Sequence, residues 1–185
     1  MSIQIGPVAL SAPVILAPMT GVTDLPFRRL VKKHGAGLVV SEMIASQAMI
    51  RENRQTMLMA KTVPEEFPMA VQLAGCDPEV MAEAAKLNED KGAAIIDINF
   101  GCPVKKVVNG HAGSSLMRDE PLAGRVSKLA ADLASFDGVA LHASGQTSID
   151  LLDDSHGFAA LGLGGASGGI HTPGLDILIG LIDHD

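Results

Sequence analysis

Short apolar runs alternate with amphipathic segments through most of this chain of 185 residues. Each run is too short for a core helix and ends at Gly, Pro or a polar residue, which indicates a buried strand. The predicted strands are 14–17, 38–40, 68–73 and 95–98. Strands that alternate with helices through short loops predict an α/β fold with a parallel sheet. This pattern alone does not separate a closed barrel from an open, doubly wound sheet.

Amphipathic spacing predicts the helices between these strands. The first is predicted from Leu25 to His34, with Arg28 facing solvent and Leu30 facing the core. Thr23 or Asp24 precedes it as a candidate N-cap, and Pro26 suits its first turn. The other predicted helices are 46–60 and 78–91, the latter capped by Asp77.

Polar or loop-forming residues lie near the end of each predicted strand or directly after it. In chain order they are Pro18, Met19 and Thr20, then Glu42, then Gln72, then Asn99 and Cys102. Because the carboxyl ends of parallel strands meet at one edge of a sheet, these groups are expected to line one ligand cleft. A cysteine thiol is mostly protonated at neutral pH, so a thiol in that cleft can donate a proton as well as attack.

Charge divides the chain into two regions. The whole sequence has a net charge of −7, which argues against nucleic-acid binding. All 14 basic residues lie at or before Lys128 with 13 of the 21 acids, whereas the last 57 residues carry eight Asp and no Lys, Arg or Glu. The total therefore describes neither region, and a divergent segment is predicted over 128–185, after a first region over 1–127.

Composition also bears on location and on metals. No apolar run approaches the roughly 20 residues of a membrane span, and no basic segment of a secretory signal opens the chain. The two cysteines, Cys76 and Cys102, are 26 positions apart and form no metal-binding spacing. A cytoplasmic protein with free thiols, no metal and no membrane contact is expected.

Six motifs together are specific enough to indicate a family. They are APMTGVTD at 17–24, SEM at 41–43, VQLAG at 71–75, DINFGCP at 97–103, KKV at 105–107 and GSSLMR at 113–118. In this order they resemble the tRNA-dihydrouridine synthases, most of all the bacterial B-type branch. The resemblance covers about residues 5–127.

The resemblance implies a TIM (β/α)8 barrel that holds FMN and reduces the C5=C6 bond of particular uridines in tRNA, with NADPH as reductant. It implies that hydride passes from the flavin to C6 and that Cys102 protonates C5. The residues implied to bind the cofactor are Pro18, Met19, Thr20 and Gln72. Those implied to bind the substrate are Asn99, which would contact the uracil, and Lys105, Lys106 and Arg118, which would contact the RNA.

The resemblance stops after about Ser127. The family's later motifs, a lysine that reaches the flavin and loops that bind the FMN phosphate, have no counterpart, and neither Lys nor Arg follows Lys128. A Gly-rich stretch at 162–169 lacks the spacing of a phosphate loop and favours low complexity or disorder. Because a (β/α)8 barrel takes about 250 residues, we interpret the chain as the N-terminal part of an incomplete barrel. A frameshift or truncation in the gene would produce such a divergent segment after the barrel strands.

Three functional hypotheses remain open from the sequence. The motifs specify an FMN-dependent oxidoreductase acting on tRNA. The altered tail allows a non-catalytic remnant of that enzyme, and the fold alone allows another FMN barrel that reduces a small molecule. The NFGCP loop with Lys105 and Lys106 favours tRNA as the substrate.

Overall fold

The computed structural model describes residues 3–5, 7–133, 140–144 and 159–163. The strands are β1 Ile3–Ile5, β2 Val8–Leu10, β3 Ile15–Leu16, β4 Leu38–Val40, β5 Ile44–Ala45, β6 Met69–Ala74, β7 Ile95–Asn99, β8 Ala140–Ser144 and β9 Ala159–Leu163. The α-helices are α1 Leu25–Lys33, α2 Ser46–Ile50, α3 Arg54–Met59, α4 Pro78–Asp90, α5 Lys105–Val108 and α6 Glu120–Leu133. The four strands predicted from sequence are confirmed to within one residue at each end.

Strands β3 to β9 form one sheet in which every described pairing is parallel. The order is β3-β4-β6-β7-β8-β9, and β5 pairs with β6 beyond the end of β4. The α/β prediction is confirmed. Apart from the two-residue β5, strands that follow one another in the chain are neighbours in the sheet, which is the order of a TIM barrel, whereas a doubly wound sheet reverses at a switch point.

Side-chain caps explain where the main helices begin. The Oδ1 atom of Asp24 accepts a hydrogen bond from the N–H of Phe27 at 3.0 Å, with Pro26 in the first turn of α1. Asp77 caps α4 in the same way by accepting from Val80 at 3.1 Å. A carboxylate at this position satisfies an N–H that has no partner within the helix.

The prediction of one helix over 46–60 is wrong. The structure has two short helices, α2 and α3, separated at 51–53, where Glu52 has a φ of 49°. The first helix does not continue through Asn53, because the Asn53 side chain accepts from the N–H of Gln55 at 3.0 Å and so caps the start of a new helix. Asn side chains compete with helical hydrogen bonds in this way.

The predicted orientation of α1 is wrong at two positions. Arg28 is 0% exposed and Leu30 is 51% exposed, the reverse of the expectation, whereas Val31 packs against the core as predicted. The cause is Glu66, equally buried, whose Oε1 accepts from Arg28 Nε at 2.7 Å. A buried charge needs a partner, and here the partner comes from a distant segment. Burial lowers the pKa of the Lys32 ammonium on the same helix, and the Glu66 carboxylate opposes that shift.

The two faces of the sheet have different coverings. One face packs beneath the helices, with Val39, Val71, Leu73, Ile96 and Ile98 in the same cluster as Met81 and Ala85 of α4. On the other face, at the amino ends of the strands, Leu38, Val40, Ala70 and Ile95 pack with Ile5 and Leu10 of the β1–β2 hairpin. We call this second cluster the apolar floor. Because side chains alternate along a strand, residues two positions beyond the floor lie above it.

The proposed division at 127/128 falls within α6 and remains a prediction. The divergent segment contributes the last residues of α6 and two strands, β8 and β9, to the described structure. The Gly-rich stretch 162–169 lies outside the described residues except for its first two positions, which end β9. Within the described part of the chain, no helix is long and apolar enough to cross a membrane.

Candidate active site

Three polar side chains lie above the apolar floor on β6 and β7. Gln72, Asp97 and Asn99, here called the polar trio, are 2%, 4% and 8% exposed. Gln72 pairs in register with Asp97 across the two strands, and Asn99 follows two residues later on the same face of β7. Parallel pairing therefore brings together residues that are 25 and 27 positions apart.

A continuous chain of hydrogen bonds runs through the polar trio. Gln72 Nε2 donates to Asp97 Oδ2 at 2.7 Å, and Asn99 Nδ2 donates to Gln72 Oε1 at 3.1 Å. Asn99 Oδ1 then accepts from the backbone N–H groups of Gly101 and Cys102, at 3.2 and 2.9 Å. Two side chains of the predicted site, Gln72 and Asn99, are thus in direct contact, and Asn99 holds the start of the loop that carries Cys102.

The loop with Cys102 is held from its other side as well. The Cys102 carbonyl accepts from the N–H of Ser114 at 3.1 Å. Gly113 makes this contact possible, because its φ is 60° and a Cβ there would lie 2.6 Å from the Cys102 carbonyl oxygen. Cys102 itself is half-buried and is a free cysteine. Its backbone is therefore fixed on both sides while its side chain remains accessible.

The loop after β3 carries the other predicted cofactor residues. Met19 N–H donates to Thr23 Oγ1 at 3.1 Å, and the Met19 carbonyl accepts from Thr23 Oγ1 at 3.1 Å as well as from backbone N–H groups. The backbone N–H and carbonyl of Met19 are therefore both used in hydrogen bonds within the loop. Pro18 and Met19 are half-buried and Thr20 is exposed, so their side chains and the Thr20 backbone remain for a ligand.

Glu42 and Ser41 connect this loop to the polar trio. Glu42 Oε2 accepts from the N–H of Gly21 at 2.6 Å. Ser41 Oγ donates to the Glu42 carbonyl at 2.8 Å and accepts from the N–H of Gln72 at 3.0 Å. The carboxyl ends of β3, β4 and β6 are thus linked by side chains, as expected if they build one cleft.

A sequence model described as dihydrouridine synthase (Dus) matches residues 15–134. The chain belongs to the dihydrouridine synthase family. The match contains β3 to β7, the polar trio and the Cys102 loop, and it confirms the resemblance predicted from the motifs. The family's TIM-barrel fold agrees with the chain-ordered parallel strands described above.

Relatives with assigned names agree with this family. A probable tRNA-dihydrouridine synthase of Rickettsia bellii is 64% identical over 129 residues, 69% of this chain and 40% of the relative. The tRNA-dihydrouridine synthase B of Xanthomonas axonopodis pv. citri is 53% identical over 123 residues, 66% of this chain and 37% of the relative. The matched part of the chain therefore spans about 40% of the length of these relatives.

The predicted RNA-contacting residues of this chain follow the Cys102 loop in the sequence. Lys105 and Lys106 are exposed on α5, and Arg118 is exposed at the end of the 3-10 helix Gly113–Arg118. All three cations are C-terminal to Cys102, and they make no hydrogen bond with the polar trio within the described structure. Their role is a prediction that rests on the resemblance.

Sequence reasoning overlooked Asp97 as a site residue. The signal was present, because a carboxylate two positions before Asn99 in an otherwise apolar strand must lie on the same face as Asn99. What the sequence did not supply was the register that places Asp97 opposite Gln72. Among the residues that the structure describes, no group of three or more His, Cys, Asp or Glu side chains could hold a metal ion.

Proposed function

We propose that this chain reduces the C5=C6 bond of uridines in tRNA to 5,6-dihydrouridine, with FMN as cofactor and NADPH as reductant. The observation that carries the proposal is the Cys102 loop. It follows the buried network of the polar trio at the carboxyl end of a barrel strand, within a segment that matches the family throughout. In TIM barrels, groups placed at these strand ends perform the chemistry.

The described residues fit the ring system of FMN. A flavin ring presents carbonyl oxygens and ring nitrogens along one edge, so it needs both donors and acceptors. After its bonds to Asp97 and Asn99, Gln72 retains one N–H and one acceptor position. Gln72 would therefore contact the ring edge, and Pro18, Met19 and Thr20 would line its side. The phosphate would have to be bound without the family's later basic motifs, since no Lys or Arg follows Lys128.

The chemistry divides between cofactor and protein. The chemistry that FMN would supply when bound, with NADPH as its reductant, is a hydride for C6 of the uracil. The Cys102 thiol supplies the proton to C5, so one hydride and one proton saturate the double bond, and solvent then returns a proton to the thiolate. Asn99 orients the uracil. The base must leave its stack to reach the cleft, and nucleotides in loops do so at least cost.

Lys105, Lys106 and Arg118 are proposed to bind the phosphate backbone of the tRNA. All three are exposed and lie within 16 positions of Cys102 in the sequence. Contacts of lysine and arginine with phosphates hold an RNA in place without reading its bases.

Two assays test this proposal. The first is the visible absorption spectrum of the purified chain titrated with FMN, where saturation at one flavin per chain is expected. The second is dihydrouridine formation in unmodified tRNA with NADPH. Cys102→Ala should keep flavin binding and lose at least about a hundredfold in rate, as expected for removal of a general acid. Cys76→Ala is the matched control, since this cysteine packs against the core and should keep the rate of the parent.

Other outcomes would contradict the proposal in different ways. A protein that leaves the FMN spectrum unchanged would show that the cofactor site does not form in this chain. Reduction of free uridine as fast as tRNA would favour a small-molecule reductase. Activity retained in Cys102→Ala would remove the thiol from the mechanism.

A further inference from the structure

We infer that Asp97 is a positioning residue, which fixes the orientation of Gln72 and Asn99 and, through them, the loop that carries Cys102. The catalytic meaning of this inference rests on the proposed function. The structural part does not, because it concerns only bonds within this chain. Neither the family match nor the motifs assign a role to this carboxylate.

The orientation of both carboxamides follows from the two ends of the network. The backbone N–H groups of Gly101 and Cys102 can only donate, so they must meet the oxygen of Asn99. The nitrogen of Asn99 is then the atom that faces Gln72, and it must meet the Gln72 oxygen at 3.1 Å. The nitrogen of Gln72 is left to face Asp97.

Asp97 closes the network because its Oδ2 atom accepts at 2.7 Å from the Gln72 amide nitrogen, and an amide nitrogen can only donate. If this acceptor were removed, the Gln72 side chain would lose one of the two contacts that select its orientation, and only the bond from Asn99 would remain. The reversed orientation would place two N–H groups against each other at Asn99.

Burial makes this selection strong. All three side chains of the polar trio are more than nine-tenths buried. Water is a poor substitute for a lost partner there, and a buried polar group without a hydrogen bond is costly. The apolar floor below them offers no polar group, since Ala70 and Ile95 occupy the preceding positions on the same face.

The network also fixes what Asn99 can offer a ligand. Its oxygen already accepts two hydrogen bonds, and one of its two N–H groups is used by Gln72. One N–H remains. Asn99 therefore presents a donor, which suits a ligand atom that accepts, such as a carbonyl oxygen.

The test measures how fast Cys102 is alkylated by iodoacetamide in a Cys76→Ala background, without FMN or tRNA. Asp97→Ala should release the loop and raise this rate by about three- to tenfold, the effect of losing roughly one hydrogen bond. Asp97→Asn keeps an acceptor at the same place and should stay within about twofold of the parent. Asp90→Asn makes the same substitution at an exposed site at the end of α4 and should leave the rate unchanged.

A double-mutant cycle separates positioning from a general loss of stability. In an Asn99→Ala background the Cys102 N–H has already lost its acceptor, so adding Asp97→Ala should change the rate little. Independent effects would multiply instead. Thermal unfolding shows whether each variant folds. If Asp97→Ala does not fold, Gln72→Met can replace it, because it removes both hydrogen bonds of the Gln72 side chain. Gln72→Met should give the same increase in the alkylation rate of Cys102.

The outcomes distinguish this inference from the proposed function. Unchanged alkylation rates in folded Asp97→Ala and Gln72→Met proteins, or effects that multiply with Asn99→Ala, would overturn the positioning role. Failure of the parent chain to bind FMN would contradict the proposed function and would leave the positioning role supported by the alkylation rates.

Discussion

The buried ion pair between Arg28 and Glu66 yields a quantitative prediction about stability. Arg28 makes three hydrogen bonds: Nε to Glu66 Oε1 at 2.7 Å, Nη1 to the Thr23 carbonyl at 2.8 Å and Nη2 to the Lys61 carbonyl at 2.9 Å. Both charged side chains are fully buried. Glu66→Ala would leave the guanidinium charge buried without its counterion, and we expect the free energy of unfolding to fall by about 3–5 kcal/mol.

The double substitution should cost less than either single one. Arg28→Met alone leaves the Glu66 carboxylate buried and unpaired, so it should be as damaging as Glu66→Ala. Arg28→Met combined with Glu66→Ala buries no charge at all. Its remaining cost comes from the space that the Glu66 side chain leaves and from the carbonyls of Thr23 and Lys61, which each lose a donor, at about 2 kcal/mol for the two carbonyls.

Urea unfolding followed by far-UV circular dichroism measures these differences, since the chain has no Trp or Tyr to report by fluorescence. The adjacent pair is the control. Arg29 and Glu65 have the same chemistry at 3.7 Å, but both are more than half exposed. Glu65→Ala should change stability by less than about 1 kcal/mol. The reasoning is refuted if Glu66→Ala is as mild as Glu65→Ala, or if the double variant costs the sum of the two singles.

Two further predictions concern the Cys102 loop and RNA binding. Gly113→Ala should destabilise the protein by about 1–3 kcal/mol and speed alkylation of Cys102, because it adds backbone strain and a Cβ that would lie 2.6 Å from the Cys102 carbonyl oxygen. Gly92→Ala, also at positive φ but with its nearest neighbour 3.5 Å away, carries strain alone and should leave the alkylation rate unchanged. Lys105→Ala should lower the slope of log affinity for tRNA against log salt by about one, as loss of one phosphate contact does. Lys86→Ala, exposed on α4, is its control, and an equal effect there would place the contact elsewhere.

Local patterns in the sequence were enough for the strands and the helix starts. Apolar runs located β4, β6 and β7, and the Asp24 and Asp77 caps were identified because an N-cap interacts only with the next few residues. These features depend on neighbours in the chain, so the chain itself contains the needed information.

Features that depend on distant partners were not predicted. Arg28 was expected to face solvent because its counterion is 38 positions away, in a segment with no strand or helix pattern of its own. Asp97 was given no role for the same reason, since its partner Gln72 becomes adjacent only through the pairing of β6 with β7. For Gln72, Asn99 and Cys102, the motifs indicated that the three residues belong to one site. The hydrogen bonds in the structure show how Gln72 and Asn99 contact each other and how Asn99 contacts the backbone of Cys102.

The β1–β2 hairpin determines the side from which a ligand can approach the candidate site. Ile5 and Leu10 close the sheet interior below the polar trio with an apolar layer, so a ligand of Gln72 and Asn99 approaches from the carboxyl ends of the strands. Because this apolar layer covers the amino ends of the strands, a second reactant that must meet such a ligand would have to approach from the same side as the ligand itself.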